Sequence, residues 1–390
     1  MDATTHLTAQ SSPTGRPRRI GAWCRLLGAG CAAVMTVAAL SACQSPAPFP
    51  TASPAVTESP VAVIEQATEL DSPWSMVGLA DGHLLVSERD SGQIVDVAPN
   101  GGKQTVGTVP GVVHQGEGGL LGLAMQVGSC PGTELLDSNN PCFDLFAYLT
   151  TAEDNRVVRM PLLGETGSRT LGPATPIITG IPQGSNHNGG RIAFGPDGML
   201  YAGTGDAGNR NNAQDPASLG GKILRTTRDG DVPTGNPLPN SPVWSLGHRN
   251  VQGLAWDETG RMWASEFGQN TWDELNQITA GNNYGWPLVE GKDTDRHFTN
   301  PVLTWPTSEA SPSGIAIAGT TLYMAALRGE RLWQIALDGA PSAHARLTHQ
   351  LGRLRDVALT PDGRLLVLTN NTDGRGDPMP GDDKIVEITR

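Results

Sequence analysis

Six times between Trp74 and Leu368 the chain repeats one design: an apolar run, a break, and a second apolar run. Residues 74–79 and 84–86 flank Asp81-Gly82, 191–194 and 199–203 flank Asp197-Gly198, and 251–256 and 261–264 flank Thr259-Gly260. Gly319 parts 313–317 from 321–326, Asp362-Gly363 parts 354–359 from 364–368, and a longer loop parts 120–125 from 145–149. An Asp-Gly pair supplies the positive φ that a tight hairpin needs, so each unit reads as antiparallel strands. One such unit cannot cover its own apolar faces, whereas six alike, set radially, cover one another. The expectation is an all-β fold, a six-bladed β-propeller of four-stranded blades; a large β-sandwich would not give six like units. The ends must close the ring. Residues 384–388 end the last blade, and 61–64 are expected to complete it as its outer strand. Loops after the inner strands are expected to gather at one mouth.

Composition agrees with many turns: 49 Gly and 30 Pro in 390 residues, with few long helical patterns. The chain divides into residues 1–42, 43–60 and 61–390. In the first part Arg16, Arg18, Arg19 and Arg25 precede the apolar stretch 26–40, and Leu40-Ser41-Ala42-Cys43 reads as a lipobox. That predicts a lipoprotein signal peptide, with Cys43 as the lipidated new N-terminus. Arg18-Arg19 leaves the choice between general and twin-arginine export open. Residues 43–60 are rich in Pro, Ser, Ala and Thr and read as a tether between lipid and domain. The expected location is therefore extracytoplasmic, on a membrane, through a lipid anchor.

Formal charge is -12. The leader holds four Arg against Asp2, which leaves the mature part still more acidic and argues against nucleic acid as a partner. Cys24 and Cys31 leave with the leader, so Cys130 and Cys142 remain, and outside the cytoplasm they are expected to form a disulfide.

The chemistry-bearing residues sit at strand-to-loop junctions. Ser185-Asn186-His187-Asn188-Gly189-Gly190-Arg191 sets a His against a Gly pair, where backbone can be approached closely and an imidazole can titrate near neutrality. Asp206 follows in Gly203-Thr204-Gly205-Asp206, Arg249 and Asn250 in Gly247-His248-Arg249-Asn250, and Arg353 and Arg355 in Arg353-Leu354-Arg355-Asp356. By itself Asp206 reads equally as a turn carboxylate.

These motifs resemble the pyrroloquinoline quinone-dependent soluble aldose dehydrogenases, the glucose/sorbosone dehydrogenase family. The resemblance spans about residues 61–390. It also rests on Gly116-Glu117-Gly118-Gly119-Leu120-Leu121-Gly122, Asn283-Tyr284-Gly285-Trp286-Pro287 and Thr304-Trp305-Pro306-Thr307. It implies that His187 is a general base for a sugar hydroxyl and that Asp206 holds its ring. It implies that Arg249, Asn250, Arg328, Thr307, Arg353 and Arg355 contact pyrroloquinoline quinone, whose three carboxylates suit Arg forks. Glu117, where glucose-oxidising members carry Gln, and Trp305 would meet the sugar. A Ca²⁺ would take the backbone carbonyls of Gly268 and Gln269. Asp273 and Glu274, with the Tyr284 carbonyl, resemble a second Ca²⁺ site, and read equally as an acidic hairpin turn. Asn186 precedes the base where those members have Asp, and the segment around Arg328 is one residue short.

Two readings of function follow. In one the chain oxidises an aldose or related sugar to its lactone and passes electrons to a membrane quinone or another, unidentified carrier. In the other it is a non-catalytic propeller that binds a glycan or a protein. Lactonase-type hydrolysis would need a ring of inward carboxylates around a central ion, and the sequence offers none.

Overall fold

The strands Leu84–Glu88 and Leu365–Thr369 are buried at every position. A strand with one face in water would alternate instead. Successive side chains point to opposite faces, and here both faces are covered. Leu84 and Val86 pack into one apolar cluster and Leu85 into another; Leu365 and Val367 likewise part from Leu366 and Leu368. A computed structural model of the protein describes residues 61–127 and 143–389. It contains six antiparallel sheets; five run in chain order from an inner to an outer strand, and the sixth takes its outer strand from the beginning of the described chain. The inner strands are Pro73–Gly78, Leu120–Val127, Ile192–Phe194, Val251–Trp256, Pro312–Ala318 and Leu354–Leu359. Each touches the next, and the last returns to the first. The fold is the expected six-bladed propeller. Among the described residues the one α-helix is the short turn Asn211–Gln214.

Six apolar clusters fill the six gaps between neighbouring blades. The ring closes where Val63–Ala67 pairs antiparallel with Ile385–Ile388, with Val63 opposite Ile388 and Ala67 opposite Ile385. The closing strand thus lies slightly later in the chain than the expected 61–64. Residues 1–60, with Cys43 and the tether, lie outside the described residues, as do Cys130 and Cys142.

One expectation about direction is corrected. The Asp-Gly hairpins that follow the inner strands lie at the end of the ring away from the charged loops. The charged loops instead lead into the inner strands or join second strands to third. Each strand crossing reverses direction, so the entry of an inner strand and the exit of its neighbour share one end.

Candidate active site

His187 sits in the loop that enters the third blade, with φ of +55°. That left-handed backbone is unfavourable for a side chain with a Cβ and has to be held by its surroundings. Its N–H donates to Glu117 Oε2 at 2.9 Å and its carbonyl accepts from Ala207 N at 3.0 Å. Gly205 passes so close that a Cβ there would lie 1.7 Å from the His187 carbonyl oxygen. The imidazole Nδ1 lies 2.8 Å from Asp206 Oδ1. Asp206 is fully buried, and its other oxygen accepts from the Trp286 indole N–H at 2.8 Å. Burial alone would raise the proton affinity of this carboxyl. The bonds from His187, Trp286 and the Gly208 N–H outweigh it and hold Asp206 below the ordinary carboxylate range. An ionised Asp206 requires Nδ1 to carry the proton, which leaves the Nε2 lone pair to face outward. Outward is a cavity of about 610 Å³ that His187 and Asp206 line with Arg210, Arg249, Gln269 and Trp286.

A second cavity, of about 330 Å³, is lined by Glu117, the residue that accepts from the His187 N–H. Its wall holds five arginines, Arg89, Arg328, Arg353, Arg355 and Arg375, and Glu117; Asp90 pairs with Arg89, Asp373 with Arg353 and Arg355, and Glu117 with Arg375. Burial pushes the Arg355 guanidinium down to about 9; Asp373 offsets this, while Arg353 and Arg89 add to it. The surplus of guanidinium over carboxylate favours an anionic ligand. Arg249 Nε and Asn250 Nδ2 are buried donors with no partner among the described residues. A buried donor left unpaired is costly, so each has capacity for a ligand oxygen.

Bulges build much of this wall. Pairing along the first blade steps from Pro73 opposite Glu88 to Ser75 opposite Ser87, which leaves Trp74 as the extra residue. Gln252 is skipped in the same way in the fourth blade and Arg355 in the sixth. All three line the smaller cavity. A bulge at the mouth of an inner strand breaks the in-and-out alternation and turns one side chain toward the opening. Arg355 Nη1 then donates to Gln252 Oε1 at 2.9 Å, and Arg355 Cζ lies 5.7 Å from the centre of the Trp74 ring.

The structure thus brings together His187, Asp206, Glu117, Arg249, Asn250, Arg328, Arg353, Arg355, Gly268 and Gln269. Glu117 does not offer a free carboxylate to a sugar. Its second oxygen accepts from Arg375 Nη1 at 2.8 Å, and burial notwithstanding, Arg375 and the His187 N–H hold it below the usual range. Two residues expected to make contacts, Trp305 and Thr307, lie off the walls of both cavities. Trp305 is buried between the fourth and fifth blades against Trp333, because alternation along Leu303–Pro306 turns it into that cluster. Thr307 lines neither cavity, and Ser311 lines the smaller one instead.

Asp273 and Glu274 are neighbours on one strand, Trp272–Ile278, so their carboxylates leave opposite faces. Asp273 accepts from the Gly268 and Ser311 N–H groups, and Glu274 from the Gly291 N–H and Asn276. Burial raises both above the ordinary range. Among the described residues no three or more His, Cys, Asp or Glu side chains gather to hold a metal ion. The Tyr284 ring stacks on His248, with centroids 4.7 Å apart. Sequence reasoning missed Arg89, Asp373, Arg375 and Gln252, and gave Trp286 no role. Gln252 and Trp286 carried a signal, since Gly247–Gly253 and Asn283–Pro287 are both stretches on which the family resemblance rests.

The glucose/sorbosone dehydrogenase family model matches residues 70–378. A solved structure titled as the pyrroloquinoline quinone-bound form of an aldose sugar dehydrogenase from Streptomyces coelicolor is 51% identical. It has a TM-score of 0.77 and covers 84% of this chain and 98% of its own. An aldose sugar dehydrogenase of Escherichia coli K12 is 30% identical over 78% of this chain and 89% of its own length. Quinoprotein glucose dehydrogenase B of Acinetobacter calcoaceticus is 30% identical over 59% of this chain, and the match spans 53% of that protein.

Proposed function

The chain belongs to the glucose/sorbosone dehydrogenase family, and from that premise we propose that it oxidises an aldose or related sugar to its lactone, with His187 as the base. The carrying observation is the His187–Asp206 pair, opening on a cavity beside an arginine-rich wall. The broader class, a pyrroloquinoline quinone-dependent sugar dehydrogenase, is supported by the family match and by the cofactor-bound relative.

The residues present fit that cofactor. Arg353, Arg355 and Arg328 would hold carboxylates, and the unpartnered Asn250 Nδ2 and Arg249 Nε would meet its oxygens. The Gly268 and Gln269 carbonyls would hold a Ca²⁺, a hard cation that takes oxygen ligands. The quinone, when bound, supplies the hydride acceptor that the side chains lack. The chain's own contribution is positional and protonic. Asp206 fixes the ring through Nδ1, Nε2 takes the proton of the sugar hydroxyl, and the buried carboxylate stabilises the imidazolium so formed. Glu117 and the close pass of Gly205 hold the backbone that aims this ring.

Purified protein reconstituted with pyrroloquinoline quinone and Ca²⁺ should reduce a redox dye when given aldoses. His187→Ala should keep cofactor binding while turnover falls by on the order of 10²–10⁴, the usual worth of a positioned base. Arg355→Ala should instead chiefly weaken the cofactor. A His187→Ala protein as fast as wild type removes His187 from the mechanism. A reconstituted wild type that binds sugars and reduces no dye is the non-catalytic binder instead.

We also propose that Cys43 carries lipid and tethers the domain to a membrane outside the cytoplasm, and that Cys130 and Cys142 are bonded. The leader composition and the pair of remaining cysteines support these readings. The electron acceptor would then be a membrane quinone or a soluble redox carrier.

A further inference from the structure

Resting on the cofactor reading above, we infer that Glu290 is a positioning residue that moulds the loop between Glu266 and Trp272 into a set of outward carbonyls for the cation. Five successive N–H groups of that loop end on two carboxylates. Gly268 donates to Asp273 Oδ1 at 2.8 Å. Gln269, Asn270, Thr271 and Trp272 all donate to the single oxygen Glu290 Oε1, at 2.7, 3.0, 3.0 and 3.2 Å. Consecutive N–H groups converging on one anion form a nest.

The consequence lies on the other side of the chain. No cis peptide occurs in this loop. In a planar trans peptide the carbonyl points opposite to the N–H, so the carbonyls of residues 267–271 are turned away from both carboxylates. Phe267 lines the arginine-walled cavity, and Gln269 and Asn270 line the His187 cavity. Glu290 lines neither cavity. N–H groups that converge on one oxygen splay their carbonyls outward on the far side, and the anion at the N–H ends holds that arrangement before any cation arrives. Gly268 is part of the same device. A Cβ there would lie 1.7 Å from the Trp272 carbonyl oxygen and 2.9 Å from Glu290 Oε1.

The sequence offers no side-chain charge at Gly268 or Gln269 to attract a cation, so affinity would rest on how these carbonyls are held. The test is calorimetric titration of Ca²⁺ into cation-stripped protein saturated with pyrroloquinoline quinone, for wild type, Glu290→Ala and Glu290→Gln. Glu290→Ala should lose on the order of 10–100-fold in Ca²⁺ affinity, the usual cost of removing an outer-shell partner. Glu290→Gln, whose amide oxygen still accepts, should lose less. Cofactor uptake without Ca²⁺, read by tryptophan quenching, should be unchanged. Equal Ca²⁺ affinity in all three proteins overturns the inference, even if Glu290→Ala melts at a lower temperature. Should Glu290→Ala fail to fold, an unaltered affinity in Glu290→Gln overturns it alone. A wild type that takes up the cofactor but no Ca²⁺ also overturns it, leaving the quinone reading standing. A wild type that takes up neither removes the cofactor reading first.

Discussion

At the scale of single residues, the site is a chain of orientation that ends on one nitrogen. Trp286 donates to Asp206, Asp206 accepts from His187 Nδ1, and Nε2 is what remains for chemistry. Trp286 also underlies two cations, with Arg210 and Arg249 at 5.1 and 5.5 Å from its ring centre. Trp286→Phe separates these roles, because it keeps an aromatic face and removes the N–H. Asp206 Oδ2 would then be buried without that donor, and a hydrogen bond to a charged group is worth about 1.5–3 kcal/mol. The variant should be destabilised by about that much in urea at neutral pH. The sign with pH is fixed. The folded-state affinity of Asp206 for a proton lies below its ordinary 3.8, so its stabilisation is complete above that value and is lost as acid protonates it. The gap between the variant and wild type should therefore close on the acid side. A gap that is absent at pH 7 would show that the indole bond contributes nothing to the fold.

At the scale of elements, inner strands do two jobs: they crowd the axis and they turn residues up into the mouth. The crowding is visible at Gly253, where a Cβ would lie 2.3 Å from Ser265 Oγ and 2.4 Å from the Ser313 carbonyl oxygen of the next blade. A hydroxyl can rotate away, but a strand backbone cannot without disturbing the adjoining sheet. Gly253→Ala should cost about 1–3 kcal/mol, as overpacking does, and lower the denaturation midpoint. An unchanged midpoint would mean that the blades slide past one another more freely than this packing implies. The strand pairs themselves were legible in the sequence, since runs such as Leu365-Leu366-Val367-Leu368 beside Asp362-Gly363 allow little else. His187, Asp206, Arg249, Arg328, Arg353 and Arg355 were legible as motifs; Arg89 and Arg375 were not. The bulges were not. Trp74, Gln252 and Arg355 reach the cavity because one residue is skipped in pairing, and a one-residue slip of register leaves no mark in composition or periodicity. Trp305 failed for the converse reason. It obeys simple alternation, and alternation sends it into the core.

At the scale of the whole molecule, a ring of blades is only as stable as its closure. Five blades are built from continuous chain, whereas the sixth takes its outer strand, Val63–Ala67, from the other end. That strand covers the edge of Ile385–Ile388, and Ala67 joins the cluster between the sixth and first blades. A second tie crosses the middle. Arg191 of the third blade pairs with Asp356 of the sixth at 3.0 Å, both buried, and Asp356 also accepts from the Met76 N–H of the first blade at 3.0 Å. The arginines at the mouth come from several blades, so their spacing depends on both ties. Beginning the chain at Thr68 removes the closing strand and nothing of the site. An exposed edge offers unpaired N–H and C=O groups to other chains. The truncated protein should unfold at lower urea than wild type and run as associated species on size exclusion. It should also bind pyrroloquinoline quinone more weakly, because Arg353 and Arg355 belong to the blade that has lost its closure. A truncated protein with the wild-type elution volume, midpoint and cofactor affinity would place the closure in the central Arg191–Asp356 tie instead.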